Sequence, residues 1–256
     1  MAELQWPKIS RLSGSDEEGR MYSENDLIVM RKWLHAYIND VCIWRAKSPE
    51  EWTFSKNGKQ TSTWQFLLRR GLLDSKFQHF VGILFWNSLA ESFRSNPFQL
   101  VGPETAASPL VSALSNTAEF FNIECNSLTL RKKRKAYGLH NQFEGIIDYA
   151  TPGFVVDDFS NSGDTIESAR KLLVLEHIPV SKYAFTIVGK GEKLDGSLIP
   201  HTGGNTVALQ ERIKTLSLFN IEEFELSFQR YVQKNGSVNM VPFVLETNGV
   251  KNRIWR

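Results

Sequence analysis

The feature that most constrains this chain is residues 153–166, where a short apolar run meets two adjacent carboxylates and then a loop of small polar residues. Phe154, Val155 and Val156 make a run too short for a helix and rich in β-branched side chains, so they predict a buried strand. Asp157 and Asp158 close that run. Ser160, Asn161, Ser162, Gly163, Asp164 and Thr165 come next, and from residue 166 to residue 175 apolar side chains recur at helical spacing. The order is strand, loop, helix.

That order decides what the residues can do. In an open parallel sheet a ligand sits beyond the carboxyl ends of the strands, and the groups at this end suit a sugar phosphate. Asp157 and Asp158 can accept hydrogen bonds from two neighbouring ribose hydroxyls. The N–H groups of residues 160–165, with the hydroxyls of Ser160, Ser162 and Thr165, can wrap a phosphate at the positive end of the following helix. Gly163 lets the backbone approach closely. An ordinary acidic turn before a helix is one other reading. A calcium loop is another, because Asp158, Ser160, Ser162 and Gly163 fall at positions 1, 3, 5 and 6 of an EF-hand, but position 12 is Ala169 rather than a bidentate Glu.

The stretch resembles the signature loop of the type I phosphoribosyltransferases, which bind phosphoribosyl pyrophosphate (PRPP) with a hydrophobic strand, an acidic pair and a small-residue loop containing Gly and Thr. The resemblance implies PRPP as ligand and Mg²⁺ as its companion ion. Asp157 and Asp158 would hold the ribose and, directly or through it, the metal. Ser160, Asn161, Ser162, Gly163, Asp164 and Thr165 would hold the 5′-phosphate.

Composition sets wider limits. With 256 residues, 41% of them hydrophobic, the chain can bury a sizeable core, and a net charge of +2 gives no global attraction to nucleic acid or a membrane surface. No stretch approaches the ~20 apolar residues needed to span a bilayer, and residues 1–18 are polar and acidic rather than basic then apolar. The expectation is a cytoplasmic protein without a membrane partner. Cys42 and Cys125 have no metal spacing and are read as reduced core thiols.

Along the chain, residues 1–22 read as a flexible tail. Ser23 is a plausible helix start with Asp26 in the first turn, and Leu27, Met30, Trp33, Leu34, Tyr37, Ile38 and Val41 form an apolar stripe. Residues 51–66 read as a hairpin around Lys56, Asn57, Gly58 and Lys59. A connection over 67–73 and an amphipathic helix over 77–93 follow. Residues 98–107 predict a strand running into a tight turn, 109–120 a helix, 123–130 a strand and 183–189 a further parallel strand. Three strand–helix steps in succession predict a doubly wound, mainly parallel α/β sheet with helical and hairpin elements before it. The phosphoribosyltransferase-like domain is placed at 23–193, and 194–256 is read as a C-terminal α+β extension. Within that extension residues 207–216 look helical, and 224–232 and 238–245 look like strands.

Orotate phosphoribosyltransferases are the closest resemblance within the family. They carry a Lys-Ser-Gly-Arg hairpin turn whose Lys reaches PRPP, and Lys56, Gly58 and Lys59 fall on that pattern; a solvated Asn-Gly turn is the plain alternative. The turn at 102–107 is similar to the one that approaches the pyrophosphate, without the Lys some members have there. The most basic segment, Arg131, Lys132, Lys133, Arg134 and Lys135, follows a strand and precedes a Gly-containing polar stretch. Such a run can be a solvated face, a localisation patch or a nucleic-acid contact. It also resembles the mobile catalytic loop of these enzymes, with Arg131, Lys132, Lys135 and Gly138 matching, Tyr137 where the His would be, and His140 displaced by three residues. Lys190 stands nearest to the Arg that holds the orotate carboxylate.

The reading is a PRPP-dependent phosphoribosyltransferase that moves ribose 5-phosphate onto a nitrogen base, orotate first, with pyrophosphate leaving. Its transition state would be a ribosyl cation, with Arg131, Lys132, Lys135 and Tyr137 at the leaving group and Asp157 at the ribose. The alternative is a repurposed PRPP or nucleotide sensor, regulator or effector. Tyr137 in place of His, the missing acceptor Arg and the C-terminal segment favour it. A nucleic-acid-binding module ranks last, since no aromatic-rich motif accompanies the charges. The resemblance also implies a homodimer with the loop reaching across, and Trp33, Trp44, Trp52, Trp64 and Trp86 give it an aromatic N-terminal half suited to an interface.

Overall fold

The computed structural model describes residues 22–46, 51, 63–132, 142–194, 212–224 and 226, together with the strand backbones of 53–54, 61–62, 242–247 and 250–255. Helix α1 (Glu24–Tyr37) begins where the sequence placed it, because the Ser23 hydroxyl oxygen accepts the N–H of Asp26. It runs into one π-turn over Ile38–Cys42, and the whole expected stripe from Leu27 to Val41 packs into or against the core. Tyr22, assigned to the tail, is buried in that core, since its ring has apolar neighbours to cover it.

Strand β1 (Ile43–Arg45) is followed by β2 (Thr53–Phe54), β3 (Thr61–Ser62) and β4 (Trp64–Phe66). β2 and β3 pair antiparallel as the expected hairpin, whose turn with Lys56, Gly58 and Lys59 lies outside the described residues. Trp64–Phe66 leaves that hairpin and pairs with β1 instead. The short α2 (Arg69–Leu72) leads to α3 (Ser75–Ser95), capped by the Asp74 carboxylate, which accepts the N–H groups of Lys76 and Phe77 at 2.9 and 3.1 Å.

The central sheet then forms from β5 (Gln99–Pro103), β6 (Ser127–Leu130), β7 (Phe143–Glu144), β8 (Gly153–Ser160), β9 (Val180–Gly189), β10 (Glu192–Lys193) and β11 (Lys214–Asn220). Its order is β10-β11-β9-β8-β5-β6-β7, parallel throughout except where β7 runs against β6. Helix α4 (Ser108–Ala118) connects β5 to β6, and α5 (Asp164–Leu175) connects β8 to β9. The chain winds outward from β5 in one direction and from β8 in the other, so a topological switch lies between these two strands. This is the doubly wound α/β sheet that the sequence predicted.

Lys214–Leu216, read as the end of a helix, opens strand β11, and residues 214–224 join the sheet and its core. The apolar residues there fit both periods; pairing with β9, far away in sequence, decides for the strand. Strands β12 (Pro242–Thr247) and β13 (Val250–Trp255) pair with each other.

The two faces of the sheet are covered differently. On one, α3 and α4 bring Phe85, Trp86 and Leu114 against Phe98, Phe154 and Phe185, with Phe98 and Phe154 stacked at 4.5 Å between centroids. α3 and α4 touch closely at Gly82, where a Cβ would collide with Thr117. On the other face, Ile166, Ala169 and Leu173 of α5 pack on Val101, Val155 and Ala184. Of the five tryptophans, Trp33 and Trp86 are buried in the interior, Trp44 and Trp64 are half-buried, and Trp52 lies outside the described residues. Gln99, fully buried, donates its amide to the carbonyls of Asp148 and Thr151 at 2.5 and 2.6 Å and accepts the N–H of Asp148, fixing the segment that leads into β8. No helix of the described residues is long and apolar enough to cross a membrane.

Candidate functional site

Asp157 and Asp158 stand at the carboxyl end of β8, beside the switch point. Asp157 is 5% exposed, and its carboxylate Oδ1 accepts the backbone N–H of Asp158 at 2.9 Å. Burial first, and then the neighbouring charge of Asp158, push the Asp157 carboxyl up to about 7. Burial also raises Asp158. Two cations oppose these shifts: Lys132 lowers Asp157 and Arg69 lowers Asp158. Carboxyls whose burial resists ionisation gain from a ligand hydroxyl that donates to them or from a cation brought beside them.

The loop after the pair is held by its own side chains. The Ser162 hydroxyl donates to the Asp164 carboxylate at 2.8 Å, and the Ser168 hydroxyl to the Asp164 carbonyl at 2.7 Å. Gly163 is the N-cap of α5 at φ +80°, and it offers no side-chain cap to the first turn. The orphan N–H groups of that turn are therefore left for an anion. Beside them lies a groove of about 230 Å³ lined by Ser160, Asn161, Ser162, Gly163, Lys190 and Arg212, among others. Asn161, Ser162, Asp164 and Thr165 are exposed and reachable.

The basic segment starts next to this site. The Lys132 N–H donates to the carboxylate of Glu104, in the turn after β5, at 3.1 Å, so the turn and the start of the segment meet. The Glu104–Thr105 peptide bond in that turn is cis. Arg131 is ion-paired with Glu144 of β7 at 2.7 Å, which ties it to the base of the segment rather than to the acidic pair. Lys135 and Tyr137, like Lys56, lie outside the described residues. Burial pushes the thiols of Cys42 and Cys125 up to about 12, which keeps both in the protonated, less reactive form at neutral pH.

Sequence reasoning missed Arg69 and Arg212. Arg69 sat in a stretch read as a connection, and tertiary packing, including the stacking of Phe66 on Phe159 with centroids 5.0 Å apart, brings that connection to the end of β8. Arg212 precedes a strand that was not recognised. Neither carries a local motif.

The strand order, the crossovers and the acidic pair at the switch point give this chain the type I phosphoribosyltransferase fold. Among solved structures it is similar to the orotate phosphoribosyltransferase of Mycobacterium tuberculosis, at 18% identity and a TM-score of 0.55 over 76% of this chain and 98% of that one. A phosphoribosyltransferase from Corynebacterium diphtheriae is similar to the same extent, at 18% identity, 0.55, 76% and 98%. The M. tuberculosis enzyme in complex with PRPP matches at 16% identity and 0.51, again over 76% and 98%. No protein-family model and no curated protein matches the chain.

Proposed function

We propose that this chain binds PRPP and transfers its ribose 5-phosphate to a nitrogen base, with orotate the first candidate. The observation that carries the reading is the acidic pair, Asp157 buried and Asp158 half-buried, joined by the short 159–163 segment to an uncapped helix N-terminus, within a fold whose M. tuberculosis neighbour has been solved with PRPP. Asp157 and Asp158 accept the ribose hydroxyls. Residues 160–165 and the first turn of α5 take the 5′-phosphate. Lys132, tethered to the turn after β5, sits on the side where pyrophosphate leaves, and its charge with that of Lys135 offsets the charge that develops there.

Mg²⁺ fits this site only as a partner of the ligand. Among the described residues no three His, Cys, Asp or Glu side chains are grouped to hold a metal, whereas one or two carboxylates plus substrate phosphates are a usual Mg²⁺ environment. Asp157 and Asp158 would supply those carboxylates, directly or through the ribose hydroxyls, and the ion would neutralise pyrophosphate charge.

A second reading is supported by particular residues. Arg131 is engaged by Glu144, Tyr137 stands where a His is expected, and Lys190 lacks the fork of an Arg. A PRPP or nucleotide sensor that has lost the transfer step accounts for all three. Calorimetry with PRPP and Mg²⁺, followed by a base screen for pyrophosphate release, separates the readings. Binding with turnover supports the transferase, binding without turnover on any base supports the sensor, and no binding defeats both.

A further inference from the structure

Asp157 belongs to a polar row that crosses the sheet. Its register partner on β9 is Thr186, and the partner of Thr186 on β11 is Ser217. Register partners on adjacent strands share a face, here the one that α5 covers with Ile166, Ala169 and Leu173. Thr186 is 0% and Ser217 1% exposed, and their hydroxyl oxygens lie 2.9 Å apart. Gly189 closes over them, because a Cβ at that position would stand 2.7 Å from both oxygens. Two buried hydroxyls and a buried carboxyl thus lie side by side in a row that continues past Ser217 to Lys193 of β10.

Counting protons gives the row a direction. Each hydroxyl carries one hydrogen, and the bond between them uses only one of the two. The other needs an acceptor, since a buried polar group left unpaired is costly. Of the polar side chains that flank the pair, Lys193 beside Ser217 has donors only, which leaves as side-chain acceptor Asp157 beside Thr186, whose Oδ1 already takes the Asp158 N–H.

We propose that Thr186 and Ser217 are positioning residues for Asp157, with the Ser217 hydroxyl donating to Thr186 and the Thr186 hydroxyl donating to the Asp157 carboxylate. The row then holds that carboxylate in one orientation towards the ribose hydroxyls. This rests on the PRPP reading, and it assigns the second row of the site to strands β9 and β11, beyond any motif in the sequence.

The test is calorimetry with PRPP and Mg²⁺ on wild type, Thr186→Val, Thr186→Ser and Ser217→Ala, each also combined with Asp157→Ala, which removes the acceptor altogether. Thr186→Val, which keeps the shape and removes the hydroxyl, should weaken binding about tenfold, the scale of one lost hydrogen bond to a charged group. Thr186→Ser should restore it, and Ser217→Ala should fall between. In the Asp157→Ala background neither Thr186→Val nor Ser217→Ala should weaken binding further, because the group they position is gone. Wild-type affinity in folded Thr186→Val overturns the inference and leaves the PRPP reading standing. So does an equal loss in both backgrounds, which marks a purely structural role. If Thr186→Val does not fold, Ser217→Ala decides by the same comparison. Failure of the wild type to bind PRPP removes the parent reading and this inference together.

Discussion

The backbone N–H of Asp158 donates to Oδ1 of Asp157 at 2.9 Å, so the second acid helps to hold the first carboxylate while its charge opposes ionisation there. Burial is the larger effect and points the same way as that repulsion. The site therefore stores destabilisation that a ligand with hydroxyl donors or a bound cation can relieve. Stability is given up where binding is gained.

The first prediction follows from this by linkage. Asp157 has a folded value of about 7 against an ordinary 3.8, so between these values the folded protein holds a proton that the unfolded chain has lost. Its favourable contribution is complete below the ordinary value and disappears as pH rises through about 7. Relative to Asp157→Asn, the wild type should lose on the order of 1–4 kcal/mol of stability between pH 4 and pH 8. Denaturant unfolding of both proteins across that range checks it, and curves that stay parallel would contradict the burial of this carboxyl.

A second prediction separates binding from stability. Asp158→Asn removes a charged acceptor at the mouth of the site while leaving the backbone N–H that serves Asp157. PRPP binding should weaken by about 1.5–3 kcal/mol, roughly tenfold to 150-fold, with the cooperative melt retained. Unchanged affinity in both Asp157→Asn and Asp158→Asn would sink the site assignment.

How much of this was legible in the sequence depends on the range of the interaction that decides each element. The start of α1 rests on Ser23 and Asp26, three residues apart, and the strand, acidic pair and helix of 153–175 are equally local; all could be read directly. β11 could not. Leu216, Ser217 and Leu218 alternate across the sheet, but the partner that makes them a strand is Tyr183–Gly189, some thirty residues back by the register of Lys214 with Tyr183. The same holds for Trp64–Phe66, which abandons its own hairpin for Ile43–Arg45, and for Arg69, carried to Asp158 by packing that includes an aromatic stack. The missed site residues are those placed by tertiary packing.

A third prediction concerns Gly163. At φ +80° it occupies the left-handed region, yet a Cβ built there has no atom within 4 Å, so conformation and not space demands glycine. Gly163→Ala should cost about 1–2 kcal/mol, and Gly163→Asn less, since Asn tolerates this region. Thermal melts of the two variants check the order. An Asn variant less stable than the Ala variant would mean that crowding, not backbone angle, governs the position.

The last prediction is the assembly. Residues 133–141 carry Lys135, and if this segment reaches the site of a second copy, each active site of a homodimer is built from two chains. Arg131, ion-paired with Glu144, then anchors the base of the segment in its own subunit. The buried Trp33 and Trp86 give no help in deciding, because interior packing already accounts for them. Complementation decides. Asp157→Asn and Lys135→Ala each damage one half of every site in a pure preparation. Mixed in equal amounts with random pairing, half of the dimers are hybrids, and each hybrid has one site with both halves intact, so activity should return to about a quarter of wild type. A monomer, or a segment acting within its own subunit, would give no recovery above the sum of the two variants. Size measurement on the mixture distinguishes these outcomes: a dimer without recovery places Lys135 in its own subunit's site, and a monomer removes the composite site altogether.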